Sequence, residues 1–118
     1  MSKYSSRKAL ADGVTFDSTV ERDRYLHLKL LERVGDIAGL ETQPVYELIP
    51  KQAGERAVKY IADFRYSRSG ETVVEDIKSY VTAKLPAYVI KRKLMLQIHG
   101  VRVTEVQRKQ KQWEESRK

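Results

Sequence analysis

YIADFRY at residues 60–66 and TVVEDIK at residues 72–78 are the two stretches that decide the fold of this chain. Both are rich in aromatic and β-branched residues, which predicts two strands. The residues between them, 67–70, are Ser, Arg, Ser and Gly, a composition typical of a turn. The sequence therefore predicts an antiparallel hairpin at the centre of the fold.

Ionisable side chains interrupt both predicted strands, and a buried strand tolerates such groups only when a partner compensates them. Successive side chains of a strand alternate between its faces, so Asp76 and Lys78 share one face while Glu75 and Ile77 share the other. We expect Asp76 to act beside Lys78 and Asp63, with a divalent cation and an activated water as one reason for the grouping. Glu75 is then a surface residue or a supporting group. The alternative is a cross-strand ion pair between Asp63 and Lys78, worth under about 1 kcal/mol if exposed.

Length and composition predict a single globular domain with a polyanionic partner. The chain has 118 residues, of which 41% are hydrophobic and 33% charged, and its formal net charge is +7. This basicity favours nucleic acid first and an anionic membrane surface second. There is no cysteine, which excludes disulfides and thiolate metal sites. No apolar stretch approaches the ~20 residues needed to cross a bilayer, so we expect a cytoplasmic protein.

Residues 16–34 predict the first helix, because apolar residues recur at helical spacing and Gly35 follows as a cap. Ser18 and Glu21 have the spacing of a capping box, in which Glu21 would bond back to the start of the helix. The other interpretation is that Glu21 is an acid in the first turn that points toward the metal. Both interpretations stay open from the sequence.

The remaining pattern predicts three further elements around the hairpin. The complete order is α-β-β-β-α-β, which predicts an α/β fold with a mixed four-stranded sheet flanked by helices. The domain covers residues 16–106, with a loose basic N-terminal arm at 1–15. A polar, basic C-terminal tail at 107–118 is expected to be a helix extension or a mobile arm. The elements expected besides the first helix are strands at 40–50, 58–66, 72–78 and 101–106 and a helix at 86–99.

Two basic segments are candidates for contact with nucleic acid. Lys84 lies in the connection at residues 79–86, and residues 91–93, Lys91, Arg92 and Lys93, form a compact cluster on the second predicted helix. A run of charge on a helix is also typical of a solvated face, so both interpretations remain for the cluster. Tyr80 and Tyr88 lie near these segments and are expected to stack on bases or, more often, to pack in the core.

The order of elements and the acidic motif resemble the PD-(D/E)xK nuclease superfamily. Within it, the chain is most similar to a group of small phage proteins known as DUF1064, over residues 4–106. Ala62 stands where the superfamily's title motif has proline, a change that many members tolerate. The resemblance implies a restriction-endonuclease-like αβββαβ core. It is carried by residues 16–21, 43–44, 60–64, 74–78 and 90–93.

The resemblance also implies roles for individual residues. Asp63, Asp76 and the backbone carbonyl of Ile77 would bind Mg²⁺ or Mn²⁺, and Glu21 would contact the metal directly or through water. Lys78 would hold or help to deprotonate the attacking water. Hard oxygen ligands suit these metals, and Mg²⁺ usually takes one or two protein carboxylates.

Two positions outside this group complete the implied site. Lys91 would meet the scissile phosphate or support the site, and Gln43 is a further candidate for the same pocket.

The implied function is a metal-dependent DNA endonuclease, phage-encoded, that acts on branched or structured DNA in recombination or genome processing. A homodimer would give two cuts in opposing strands. A non-catalytic DNA-binding or scaffold protein with the same fold, and an RNA nuclease using the same chemistry, are the alternatives.

Overall fold

A computed structural model describes residues 8–118 of the chain. Within these residues the elements follow one another as nine strands and two helices, with a 3₁₀ turn at Thr82–Lys84 and a π-helical turn at Met95–His99. In chain order they are β1 (Ala9–Ala11), β2 (Val14–Phe16), α1 (Thr19–Arg33), β3 (Ala38–Thr42), β4 (Val45–Ile49), β5 (Val58–Ile61), β6 (Phe64–Arg68), β7 (Glu71–Ile77), α2 (Pro86–Leu94), β8 (Thr104–Lys109) and β9 (Gln112–Arg117).

The main sheet is mixed, which confirms the predicted α/β class. Its strand order is β3-β6-β7-β8-β9, so the predicted four-stranded core has a fifth strand at one edge. Strands β6 and β7 form the predicted antiparallel hairpin. Strands β7 and β8 are parallel, and α2 crosses between them. The β4–β5 and β1–β2 pairs form separate two-stranded sheets.

Two of the predicted strands are each divided into two, and the halves join different sheets. The predicted strand at 40–50 breaks at Gln43, whose φ is +54°, and at Pro44, which lacks an N–H for a ladder. The predicted strand at 58–66 breaks at Ala62 and Asp63, which lie opposite Gln43 and Pro44. There the Ala62 N–H donates to the Pro44 carbonyl at 3.1 Å, and the Gln43 N–H donates to the Asp63 carbonyl at 3.0 Å.

Both chain ends differ from the expected arm and tail. Residues 9–16 form a hairpin through Asp12 and Gly13, which have positive φ; the expected arm at residues 1–7 lies outside the described residues. Residues 107–118 complete the β8–β9 hairpin instead of a helix or a mobile arm. Its turn is formed by Gln110 and Lys111, with φ of +50° and +66°, the geometry that matches the twist of paired strands.

The hydrophobic core lies in two layers, one on each face of the sheet. One layer packs α1 against β6 through Tyr25, Leu28, Phe64 and Tyr66. The other packs α2 and the π-helical turn against β7 through Tyr88, Met95 and Val74. The sheet is therefore covered by a helix on each side, and the side chains of β7 divide between the two layers. Within residues 8–118, no helix has the length and apolar character needed to span a membrane.

Candidate active site

Asp63 and Asp76 lie together where β6 begins and β7 ends. The backbone N–H of Asp63 donates to Asp76 Oδ1 at 3.0 Å, and the Ile77 N–H donates to Asp63 Oδ2 at 2.7 Å. These reciprocal bonds fix both carboxyl groups at the same end of the hairpin. The structure thus brings together the two acids that the sequence singled out.

Lys78 follows directly after β7 and its ammonium faces Asp76. Its Nζ is 3.7 Å from Asp76 Oδ2, and its side chain is 20% exposed. The ammonium also lies 4.4 Å from the centre of the Tyr88 ring, a distance that permits a cation–π interaction. Lys78 is therefore held between a carboxylate and an aromatic face, and its side chain is only partly buried.

The charge of the two aspartates is not fully compensated. Burial, followed by the negative charges of Asp76 and Glu21, raises the pKa of Asp63 well above its ordinary value, and the Ile77 N–H offsets this only in part. The two carboxyl groups are held at the same end of the hairpin by hydrogen bonds to backbone N–H groups. A proton or a cation between them would relieve the repulsion.

Tyr60 and Tyr88 support this group, a role that no pattern in the sequence indicated. The Tyr60 hydroxyl donates to Asp76 Oδ2, which orients the carboxylate. Burial and the neighbouring charge of Asp76 raise the pKa of Tyr60, so it stays a protonated donor. Tyr88 is 8% exposed and its hydroxyl donates to Glu105 at 2.8 Å, which agrees with the core-packing interpretation.

Glu21 lies in the first turn of α1, and observations there bear on both of its expected roles, helix capping and contact with a metal. Its backbone N–H donates to Ser18 Oγ at 3.1 Å, which is one half of a capping box. Burial and the charge of Asp17 raise the pKa of Glu21; the more distant charge of Asp76 also raises it, whereas that of Lys78 lowers it. Glu21 is thus within electrostatic reach of the acids, and its contact with a metal stays a prediction.

Glu75 is not a surface group, contrary to one of the two expectations. It is fully buried and forms a bidentate ion pair with Arg24, at 2.8 Å from Oε1 to Nε and 2.9 Å from Oε2 to Nη2. The Tyr66 hydroxyl donates to Glu75 Oε2 at 2.7 Å. Arg24 also donates to Glu115 of β9 at 3.0 Å. Glu75 therefore links α1, β6 and β7 on the face opposite to Asp76.

The three basic residues of α2 point in different directions, because neighbours on a helix are about 100° apart. Lys91 lines a cleft of about 390 Å³ together with Asp76 and Lys78. Arg92 is paired with Glu105 at 3.3 Å, and Lys93 is exposed. Only Lys91 of this cluster lies beside the acids.

Gln43 and Lys84 differ in their distance from the acids. Gln43 is exposed, and its backbone N–H is bonded to the Asp63 carbonyl, so it lies next to the site. Lys84 does not contact the acids; its ammonium lies 3.8 Å from the centre of the Tyr80 ring. The expectation that both residues contact nucleic acid stays a prediction.

Two clefts meet at Lys78, and the one described above also contains Asp76. A second cleft, of about 630 Å³, is lined by Glu21, Ile77 and Lys78, and extends past Tyr80 to Arg108. Lys78 borders both clefts. An extended polymeric ligand that occupied both clefts would pass Lys78 and lie next to Asp76.

The donor set fits a hard divalent cation, although it is small. Within the described part of the chain, no three His, Cys, Asp or Glu side chains are grouped closely enough to form a metal site. Asp63 and Asp76 provide two adjacent carboxyl groups, and the raised pKa of Asp63 means that its ionised form lacks sufficient positive charge nearby. Mg²⁺ commonly takes one or two protein carboxylates and keeps several waters. The pair therefore meets the minimum that such an ion requires.

Comparison with known proteins gives one result that bears on identity. A family model described as "Protein of unknown function (DUF1064)" matches residues 1–114. No curated protein and no solved structure matches the chain. Because the match covers nearly the whole chain, this protein belongs to the DUF1064 family.

Proposed function

We propose that this protein is a metal-dependent DNA endonuclease of the PD-(D/E)xK type, with Asp63, Asp76 and Lys78 at its centre. The observation that carries the proposal is the convergence of Asp63, whose pKa is raised, and Asp76 at one end of the hairpin, with the Lys78 ammonium 3.7 Å from Asp76. Strained electrostatics of this kind concentrate at functional sites, because a structural role alone would favour full compensation.

The residues of the chain would divide the work of phosphodiester hydrolysis. Asp63 and Asp76 would hold Mg²⁺ or Mn²⁺, with the backbone carbonyl of Ile77 as a further ligand. A divalent ion bound there would supply a polarised phosphoryl oxygen and a nucleophile at neutral pH. Lys78 would orient the attacking water and neutralise charge on the phosphate. The Tyr60 hydroxyl would keep Asp76 in the orientation that the site needs.

Basic residues near the acids would bind the polyanion. Lys91, in the cleft that also contains Asp76, is suited to the phosphate next to the cleaved bond. Lys93 and Lys84 would add longer-range attraction. Arg92 would contribute less, because its charge is already paired with Glu105.

A cleavage panel tests the proposal. Purified protein is incubated with labelled duplex, single-stranded and four-way-junction DNA, with Mg²⁺, with Mn²⁺ or with EDTA. Cleavage is expected only with a divalent cation, with branched DNA as the preferred substrate. Asp76→Asn and Lys78→Met should each lower the rate by at least about 100-fold, as the loss of electrostatic stabilisation does in other enzymes.

Asp36→Asn is the matched control, because Asp36 is an exposed carboxylate just beyond the far end of α1. It should cut DNA at the wild-type rate. Cutting that persists in Asp76→Asn or Lys78→Met would belong to another site or to a contaminant, and would refute the proposal.

A non-catalytic DNA-binding protein is the second candidate, and one observation favours it. Asp76 already receives hydrogen bonds from Tyr60 and from the Asp63 N–H and lies near Lys78, so its carboxylate has partners without a metal. This alternative predicts binding that weakens steeply with salt and no metal-dependent cutting. An RNA nuclease would use the same residues, and labelled RNA in the same panel separates it.

A further inference from the structure

We propose that residues 79–85 bind an unpaired nucleotide, with the Tyr80 ring stacked on a base of single-stranded nucleic acid. The inference rests on the proposed function in one respect, since it takes Lys78 to be the site of the neighbouring phosphate. Tyr80 is 70% exposed, and the adjacent Val81 and Leu85 are 68% and 49% exposed. The sequence favoured core packing for Tyr80, which this exposure contradicts.

Tyr80 stands between two clefts of different character. It lines the cleft of about 630 Å³ that contains Lys78 and Glu21. It also lines a cleft of about 470 Å³ that contains Lys84 and Arg92. A strand whose phosphate lies at Lys78 would therefore bring its next nucleotide to the tyrosine ring.

The backbone around Tyr80 is fixed by local hydrogen bonds. Ser79 and Thr82 bond reciprocally, from the Ser79 N–H to Thr82 Oγ1 at 2.8 Å and from the Thr82 N–H to Ser79 Oγ at 3.0 Å. The Ala83 N–H donates to the Ser79 carbonyl at 3.0 Å. An exposed ring on a preorganised turn loses little conformational entropy when it binds a ligand.

Charge around the ring favours a polyanion over an apolar partner. Six basic and three acidic side chains line the two clefts. Lys84 lies over one face of the Tyr80 ring, 3.8 Å from its centre, so a base would stack on the opposite face and the ammonium would attract a neighbouring phosphate. Paired bases inside a duplex offer no free face to such a ring, whereas single strands do. The substrate class is therefore single-stranded nucleic acid, or the unpaired arm of a branched molecule.

A binding experiment in EDTA tests the inference without cleavage. Fluorescence anisotropy measures the affinity for a labelled oligo-dT and for a blunt duplex of equal length. Tyr80→Leu should weaken oligo-dT binding by at least about fivefold, the lower range for loss of one aromatic stack, and should change duplex binding by less than about twofold. Tyr80→Phe keeps the ring and should stay within about twofold of the wild type.

Val34→Ala is the matched control, because Val34 is 64% exposed at the far end of α1. It should leave both affinities unchanged. Equal losses for oligo-dT and duplex in Tyr80→Leu, or a loss in Tyr80→Phe as large as that in Tyr80→Leu, would overturn the inference. Circular dichroism checks that each variant is folded.

Two further measurements test whether the nucleotide binds at Tyr80 and whether the ring serves self-association instead. Photocrosslinking to oligonucleotides that carry 5-iodouracil should place the adduct on the peptide that contains Tyr80, and adducts confined to other peptides would overturn the inference. Light scattering should give Tyr80→Leu the same mass as the wild type; conversion of a dimer to a monomer would mean that the ring serves self-association. Tyr80-dependent binding by a protein that never cuts DNA would support this inference and refute the nuclease proposal. Normal oligo-dT binding by Tyr80→Leu, together with intact cutting, would support the nuclease proposal and overturn this inference.

Discussion

Glu75 and Asp76 are neighbours on one strand, yet their carboxylates have opposite surroundings. Glu75 faces α1, where Arg24 and Tyr66 satisfy both of its oxygens. Asp76 faces the other layer, where the Tyr60 hydroxyl and the Asp63 N–H bond its two oxygens. The Lys78 ammonium is 3.7 Å away, but a second carboxyl group, that of Asp63, lies beside Asp76 and has a raised pKa. A buried acid whose hydrogen-bond and ion-pair partners are complete, such as Glu75, stabilises the fold. A buried pair of acids, in which ionisation of Asp63 is unfavourable, is suited to holding a cation.

Breaking the Arg24–Glu75 pair tests the structural half of this comparison and should have the largest effect. Arg24→Met leaves Glu75 as a buried carboxylate without its counter-ion, which costs about 3–5 kcal/mol of unfolding free energy. Urea denaturation measures the loss. The double variant Arg24→Met with Glu75→Leu should recover much of the stability, because apolar pairs of similar volume often replace buried ion pairs.

Arg22→Met is the control on the same helix. Arg22 pairs with Asp23 at 3.2 Å, but both side chains are about a third exposed, so its removal should cost less than about 1 kcal/mol. A similar loss for Arg22→Met and Arg24→Met would show that burial of the pair is not the cause.

Asp63→Asn tests the other half of the comparison, the acid pair of Asp63 and Asp76, and should stabilise the protein. The raised pKa of Asp63 means that the folded state holds a proton which the unfolded state releases from about pH 4 upward. Stability from this group is complete below the unfolded pKa and is lost as pH rises through the folded pKa. Asparagine does not titrate, so the advantage of the variant should grow with pH to about 2 kcal/mol near pH 8.

Urea denaturation at several pH values between 5 and 9 measures that advantage. Asp36→Asn provides the comparison, because Asp36 is exposed and should show no such trend. An advantage of Asp63→Asn that shrinks as pH rises would contradict the assigned direction of the pKa shift.

A divalent cation should stabilise the folded protein by offsetting the repulsion between Asp63 and Asp76. The effect should be smaller than that of Asp63→Asn. A ligand that binds only the folded state at about ten times its Kd adds about 1.4 kcal/mol. Mg²⁺ or Mn²⁺ should therefore raise the Tm of the wild type at pH 8 and leave Asp63→Asn nearly unchanged. Differential scanning fluorimetry measures both proteins, with Na⁺ at matched ionic strength as the control. Equal shifts for both proteins would place the ion elsewhere.

Local patterns in the sequence were sufficient to predict the core of the fold. Periodicity and turn composition predicted α1, α2 and the β6–β7 hairpin, and strand alternation placed Asp76 and Lys78 on one side. The break at Gln43 was missed because it depends on a positive φ and on partners 20 residues away. Asp12-Gly13, in contrast, is a recognised hairpin signal in a stretch that was interpreted as a loose arm.

The roles of Arg24 and Tyr60 were beyond sequence reasoning for a physical reason. Arg24 resembles any charged residue of a surface helix until it meets Glu75, 51 positions away, and Glu115, 91 positions away. Tyr60 resembles a core residue, and only its hydroxyl contact with Asp76 distinguishes it. Such contacts depend on the register of strands that are distant in sequence.

Strand β9 forms one outer boundary of the main sheet, and its composition has a consequence for assembly. A boundary strand presents a row of unpaired main-chain groups to which another copy of the chain can add. Four of the last five residues of the chain are charged: Glu114, Glu115, Arg117 and Lys118. Charges of this kind oppose edge-to-edge addition and fibril growth. We therefore expect any two-fold assembly of this protein to use a surface other than a sheet that continues from one copy into the next.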